Sequence, residues 1–223
     1  MTNSQNENTK ELAGFRSNIY GFLAAVYRQE LTSELLQQMK DHRFQEILST
    51  LGIELSNGFF KKPEKELLEN LAVEYAYLFI GPGKHISPHE SVHHKKEGGQ
   101  SGQLWGELTA EVKRIIEFSG LEYKSEFTGM PDHISVELEF MQHVVQREAQ
   151  AWEADDDKTA LLCLKNEKIF VDEHLFRWIP EFCEKVIKTA ESPFYREMAR
   201  LTRSFIKFEK KELKRFEEDA GAI

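Results

Sequence analysis

Cysteine is nearly absent. Cys163 and Cys183 are the two thiols in 223 residues, and no CxxC pair occurs. This excludes a disulfide-stapled scaffold and reads as reduced thiols. Proline is sparse at six, so few positions forbid a helix. No apolar run approaches the roughly 20 residues a membrane span needs. The opening MTNSQNENTK is polar and lacks the apolar centre of a secretory leader. Residues 1–10 are therefore expected to be disordered and the chain to be cytoplasmic. Strand-like alternation and internal repeats are missing. There is no G-x-x-x-x-G-K-[ST] loop and no G-x-S-x-G elbow, and Ile80–Lys84 (IGPGK) follows a helical pattern rather than a strand. Positive charge is also in deficit. With 29 basic and 38 acidic residues the net charge is −9, which argues against nonspecific nucleic-acid binding and suits a basic partner.

What the chain does have is helical periodicity and phenylalanine, 16 copies of it, enough to build an aromatic core. Leu12, Phe15, Ile19, Phe22, Leu23 and Val26 recur at helical steps. Short helices are expected over 34–39 and 44–51. Pro63 opens another, with Leu67, Leu68, Leu71, Tyr75, Leu78 and Phe79 as its buried stripe. Further helices are expected over 104–118, from Ile134 onward, over 169–189 and over 193–216. Ile134, Leu138, Met141 and Val145 form one apolar stripe, with His133, Glu137, Phe140 and Val144 beside it. Asp132 is the expected N-cap of that helix. The charged C-terminal stretch is expected to be a solvated, fraying helix end. The fold class is thus all-α: one helical domain over 11–216, a globular bundle with two long loops at 81–102 and 121–131. A hinge at 119–131 would permit a domain-swapped dimer.

Two irregular segments concentrate the chemistry. Glu90 and His93 spell E-x-x-H, the spacing of metal-binding helical bundles, and a metal-binding helical-bundle enzyme is the alternative function. A single copy lies in a Gly/Pro-rich loop beside two lysines, which weakens that reading; no cofactor or metal is expected. Acidic Glu74, Glu90, Asp132 and Glu137, with apolar Tyr75, Leu78, Phe79 and Phe140, suit a basic peptide, because carboxylates receive guanidinium in two-pronged fashion. On spacing alone, Tyr75, Leu78 and Phe79 also read as core, the better reading for Leu78, Asp132 also reads as a cap, and His133 reads better as a structural histidine.

At these residues the sequence resembles the TorD/DmsD-type chaperones, the redox enzyme maturation proteins. The resemblance rests on Tyr75-x-x-Leu78-Phe79-x-Gly81-Pro82, then Pro88-x-Glu90-Ser91-Val92, then Pro131-Asp132-His133-Ile134 through Glu137-Leu138-x-Phe140-Met141. Phe170, His174, Leu175, Trp178 and Phe182 complete it. It implies an all-helical cytoplasmic chaperone rather than an enzyme. Its partner would be the twin-arginine signal peptide and the apo catalytic subunit of a molybdoenzyme, held for molybdenum cofactor insertion before export. A homodimer and weak guanine-nucleotide binding are further implications. The peptide-binding positions it carries over are Tyr75, Leu78, Phe79, Glu90, Ser91, Asp132 and His133. His93 stands where the family often has an aromatic residue.

Overall fold

The computed structural model describes residues 3–53, 55, 57–81, 83, 85–94, 106–121 and 129–221. Among these there are helices and no strand. They are α1 (Asn3–Arg28), α2 (Ser33–Lys40), α3 (His42–Thr50), α4 (Asn57–Phe60), α5 (Glu64–Tyr75), α6 (Glu90–His93), α7 (Glu107–Phe118), α8 (Ile134–Glu153), α9 (Asp157–Phe170), α10 (Phe176–Thr189) and α11 (Pro193–Gly221). The all-α expectation holds. Helix α1 begins at Asn3, inside the stretch expected to be disordered. Helix α9 was not expected as a separate element. Of the expected loops, 95–102 and 122–128 lie outside the described residues, as does most of the 119–131 hinge.

Side chains set several helix starts. Thr32 Oγ1 accepts from the Leu35 amide at 3.2 Å, Asp41 from those of Arg43 and Phe44, and Asp156 from that of Thr159 at 3.1 Å. Each satisfies amides that lack an intrahelical partner. Two π-helical turns interrupt the α pattern, at Ala76–Ile80 after α5 and at Val171–Leu175 between α9 and α10. Gly81 closes the first. Its amide donates to the Ala76 carbonyl at 2.6 Å, and a Cβ there would sit 3.1 Å from that oxygen.

Helix α8 is the central rod. Its Ile134, Leu138, Met141 and Val145 are fully buried, as their spacing predicts. Helix α1 lies along it, brought close at Gly21, where an added Cβ would meet the Gln142 amide at 2.6 Å. Helices α9, α10 and α11 complete the layer. One core is aromatic: Tyr27 meets Phe79 and Phe182 at 6.1 and 5.7 Å, and Phe79 meets Tyr75 at 5.1 Å. The other is ionic. Arg16 of α1, fully enclosed, donates to Glu148 of α8 at 2.8 Å, Glu167 of α9 at 2.5 Å, and both oxygens of Glu209 of α11 at 2.8 and 2.9 Å. Tyr20 and Trp152 add donors to Glu209 and Glu148 at 2.9 Å. Burial raises the Glu167 carboxyl to about 8 against the pull of Arg16. Arg16 thus ties four helices. The stretch from Phe208 is accordingly not solvated from its start, since Glu209, Glu212 and Leu213 are buried, whereas Lys214, Arg215, Glu217 and Glu218 are exposed as expected.

Candidate functional site

The two motif-bearing loops meet. The Ile86 amide donates to the Leu78 carbonyl at 2.7 Å, folding the chain back after the first π turn. It then pairs with the segment before α8 as a single antiparallel bridge, His89 with His133. The Glu90 amide donates to the Asp132 carbonyl at 2.9 Å, and the Ile134 amide to the Pro88 carbonyl at 2.8 Å. Residues 88–93 and 131–135 therefore form one junction.

Asp132 does not cap α8. Its Oδ2 accepts from the Ser91 amide at 3.1 Å, across the junction, while buried Oδ1 has no hydrogen-bond partner. The cap is His133. Its Nδ1 accepts from the Ser135 amide at 3.2 Å, which puts its proton on Nε2. A histidine fills this place because its ring nitrogen reaches the second amide of the helix while the chain is still extended. Burial, then neighbouring His89 and Arg28, pull His133 down to about 3. Burial lowers His89 as well, and the two rings sit edge to face at 5.0 Å. Both are neutral near pH 7.

Beneath the junction lie two more carboxylates. Glu90, fully buried, meets His174 Nδ1 at 3.0 Å and His94 Nε2 at 3.1 Å. Burial pushes Glu90 up, but these imidazoles outweigh it and its pKa falls below the ordinary value. Glu137, also enclosed, accepts from Trp178 Nε1 at 3.1 Å and shares a carboxyl–carboxylate hydrogen bond with Glu90. Burial and then the Glu90 carboxylate hold it well above the usual range, so it keeps its proton. His174 lies in the second π turn, a wider turn that alters the register of the side chains after it.

Glu90, Ser91, Asp132 and His133 are thus brought together. Tyr75, Leu78 and Phe79 are not at this junction's surface but inside the aromatic core, 4%, 1% and 5% exposed. Tyr75 donates to the Tyr27 carbonyl at 2.9 Å, and burial raises it to about 12. The outer face of the same helix is unexpectedly apolar. Val73, Tyr77 and Ile80 are 72%, 63% and 65% exposed. Glu74 is used elsewhere, accepting from the amides of Glu191 and Ser192. Periodicity alone did not single out His89, His94, His174 or Trp178. The four-residue steps Phe170, His174, Trp178 and Phe182 carried the signal, an apolar face with one histidine in it. The E-x-x-H pair does not converge: His93 Nε2 contacts the Ser87 carbonyl at 2.7 Å and its ring stacks on Trp178. Among the described residues no three acids, histidines or cysteines are grouped to hold a metal ion.

The chain belongs to the family described as nitrate reductase delta subunit, whose model matches residues 59–184 and so contains both halves of the junction. Among curated relatives, the chaperone protein TorD of Shewanella pealeana is 26% identical over 209 residues, covering 86% of each chain. The chaperone protein TorD of Photobacterium profundum is 28% identical over 192 residues, covering 81% of this chain and 85% of that one. Among solved structures, one from Archaeoglobus fulgidus, assigned as a redox enzyme maturation protein, aligns with a TM-score of 0.51 at 23% identity. It covers 86% of this chain and 93% of that one and shares the all-helical fold. The motif resemblance to TorD-type chaperones therefore holds.

Proposed function

We propose that the chain is a system-specific chaperone in the cytoplasm. It binds the twin-arginine signal peptide and apo catalytic subunit of a molybdoenzyme, and releases them for export once the molybdenum cofactor is inserted. It acts by binding, without chemical turnover. The names of its curated relatives support the chaperone role. One observation carries the site assignment. Glu90, Asp132 and Glu137 are all fully buried around one junction, and among the described residues none has a lysine or arginine partner. The Arg16 cluster is this molecule's own example of how three buried carboxylates are satisfied, with a forked guanidinium. A signal-peptide arginine supplies that group to Asp132 Oδ1. It enters by parting the His89–His133 pair, whose neutral rings do not repel it. The apolar stretch of the signal follows along Val73, Tyr77 and Ile80, while Tyr75, Leu78 and Phe79 hold that helix in place from within.

Titration calorimetry with a twin-arginine peptide and its twin-lysine counterpart tests this. The lysine version binds less well, because an ammonium lacks the planar fork. Asp132→Asn keeps the acceptor for the Ser91 amide but removes the charge. Its affinity falls by about 1.5–3 kcal/mol, the worth of a charge-assisted hydrogen bond, with little change in melting. Unchanged affinity for both peptides and for the variant removes the junction from the peptide site. Extension at 119–131 would additionally give a swapped dimer. Light scattering that finds a monomer at every concentration counts against that part alone.

A further inference from the structure

A concavity of about 670 Å³ lies between α7, α8 and α9. Its floor is apolar, formed by Ile115, Val144 and Phe170. Its apolar character continues onto the rim. Phe118 is 95% exposed, Leu162 55% and Ile169 48%. Three large apolar side chains in water around one groove make a continuous patch rather than scattered exposure.

The groove's charge is opposite in sign to that of the whole chain. Arg114, Arg147 and His143 line it against the single carboxylate of Glu111. Among the described residues neither arginine has an ion pair. Arg114 Nε donates only to its own helix, at the Ala110 carbonyl, 3.3 Å away. Two guanidiniums with no ion pair among the described residues, beside an apolar trough and on a chain of net charge −9, are complementary to apolar side chains flanked by carboxylates. The concave shape favours an inserted helix. An anionic membrane would instead be met by a protruding face.

We propose that this groove docks an amphipathic helix that carries acidic side chains beside its apolar face. It is a second binding surface, opposite in charge preference to the loop junction. The basic signal peptide is repelled here and the acidic helix is repelled there.

The test uses the intact chain and two short fluorescent peptides with the same leucine face, one flanked by glutamates and one by lysines. Fluorescence anisotropy should show the glutamate peptide binding at least about tenfold more tightly. The double variant Arg114→Glu/Arg147→Glu should invert that preference. Phe118→Ser with Ile169→Ser should abolish binding of both. All four side chains are exposed, so thermal melts should be unchanged. Asp132→Asn should leave glutamate-peptide affinity intact, which keeps this result independent of the signal-peptide reading. Absence of binding, equal binding of the two peptides, or competition by a twin-arginine peptide overturns the proposal. So does binding of phosphatidylserine vesicles that the arginine variants lose. A dimer in light scattering that Phe118→Ser dissociates would assign the groove to a second copy and overturn it as well.

Discussion

The molecule buries three carboxyl groups twice, and it treats the two clusters differently. Around Arg16, Glu148, Glu167 and Glu209 come from three helices and share one permanent cation supplied by a fourth. Around the loop junction, Glu90, Asp132 and Glu137 meet histidines, an indole and backbone amides instead. Guanidinium never loses its charge, so the first cluster keeps its cation at any physiological pH, even as Glu167 gives up its proton near 8. The second is held by a retained proton on Glu137 and by imidazoles, groups whose charge depends on surroundings. A cluster completed from within is architecture. A cluster left without a strong cation is where an external one gains most.

The largest break in this comparison is Arg16→Met. It strands three buried acids, and unfolding free energy should fall by about 3–5 kcal/mol in urea titration. Arg16→Lys should rescue little of that, because a single ammonium nitrogen cannot replace the four bonds made from three separate guanidinium nitrogens. A wild-type melt after Arg16→Met would refute the clamp.

The next effect sharpens the comparison through pH. Glu167 titrates near 8 when folded and near its ordinary value when unfolded. Between those values the folded chain holds a proton the unfolded chain has released. Its contribution is full at acid pH and fades as pH rises through 8. Wild-type stability should therefore drop from pH 6.5 to 8.5 by on the order of 1 kcal/mol from this group. Glu167→Gln, which mimics the protonated acid, should flatten that slope. A parallel slope in both proteins would place the proton elsewhere.

The smallest change is expected at Glu137→Gln. The acid already carries its proton and accepts from Trp178 through the oxygen an amide retains. Stability at pH 7 should shift by less than about 1 kcal/mol. A loss comparable to that of Arg16→Met would mean that Glu137 is ionised and that the two clusters are alike after all. His133 runs in the other direction. Its depressed value means that the unfolded state takes up a proton first as pH falls below about 6.5. His133→Gln should narrow the melting difference between pH 7 and pH 5, and an unchanged difference would count against the cap assignment.

Elements whose burial is purely apolar were legible from the amino-acid order. The stripe Ile134, Leu138, Met141 and Val145 was read directly. The Arg16 face of α1 was not, because an arginine is counted toward solvent until three distant acids are known to surround it. The same logic hid Glu209 in a charged-looking tail and Glu167 in α9, whose buried face also contains Cys163. Around the junction, sequence blocks named the two segments that the structure brings together. They could not say that Asp132 would serve the other loop while His133 capped the helix, since that depends on a bridge between residues more than forty positions apart. The π turn at Val171–Leu175 likewise has no signature in the spacing of apolar residues.

The Arg16 clamp also governs when the chain becomes a folded object. Its partners lie 132, 151 and 193 residues downstream. Such distant closure is slow in a free chain. During synthesis, at about 5–20 residues per second, α1 emerges long before Glu209 exists. The first helix can meet Glu148 and Glu167 earlier, but its clamp stays incomplete until Glu209, in the middle of α11, has been made. A chain truncated a few residues before Glu209 would lack one corner of the clamp and meet the quality-control machinery as an unfinished protein.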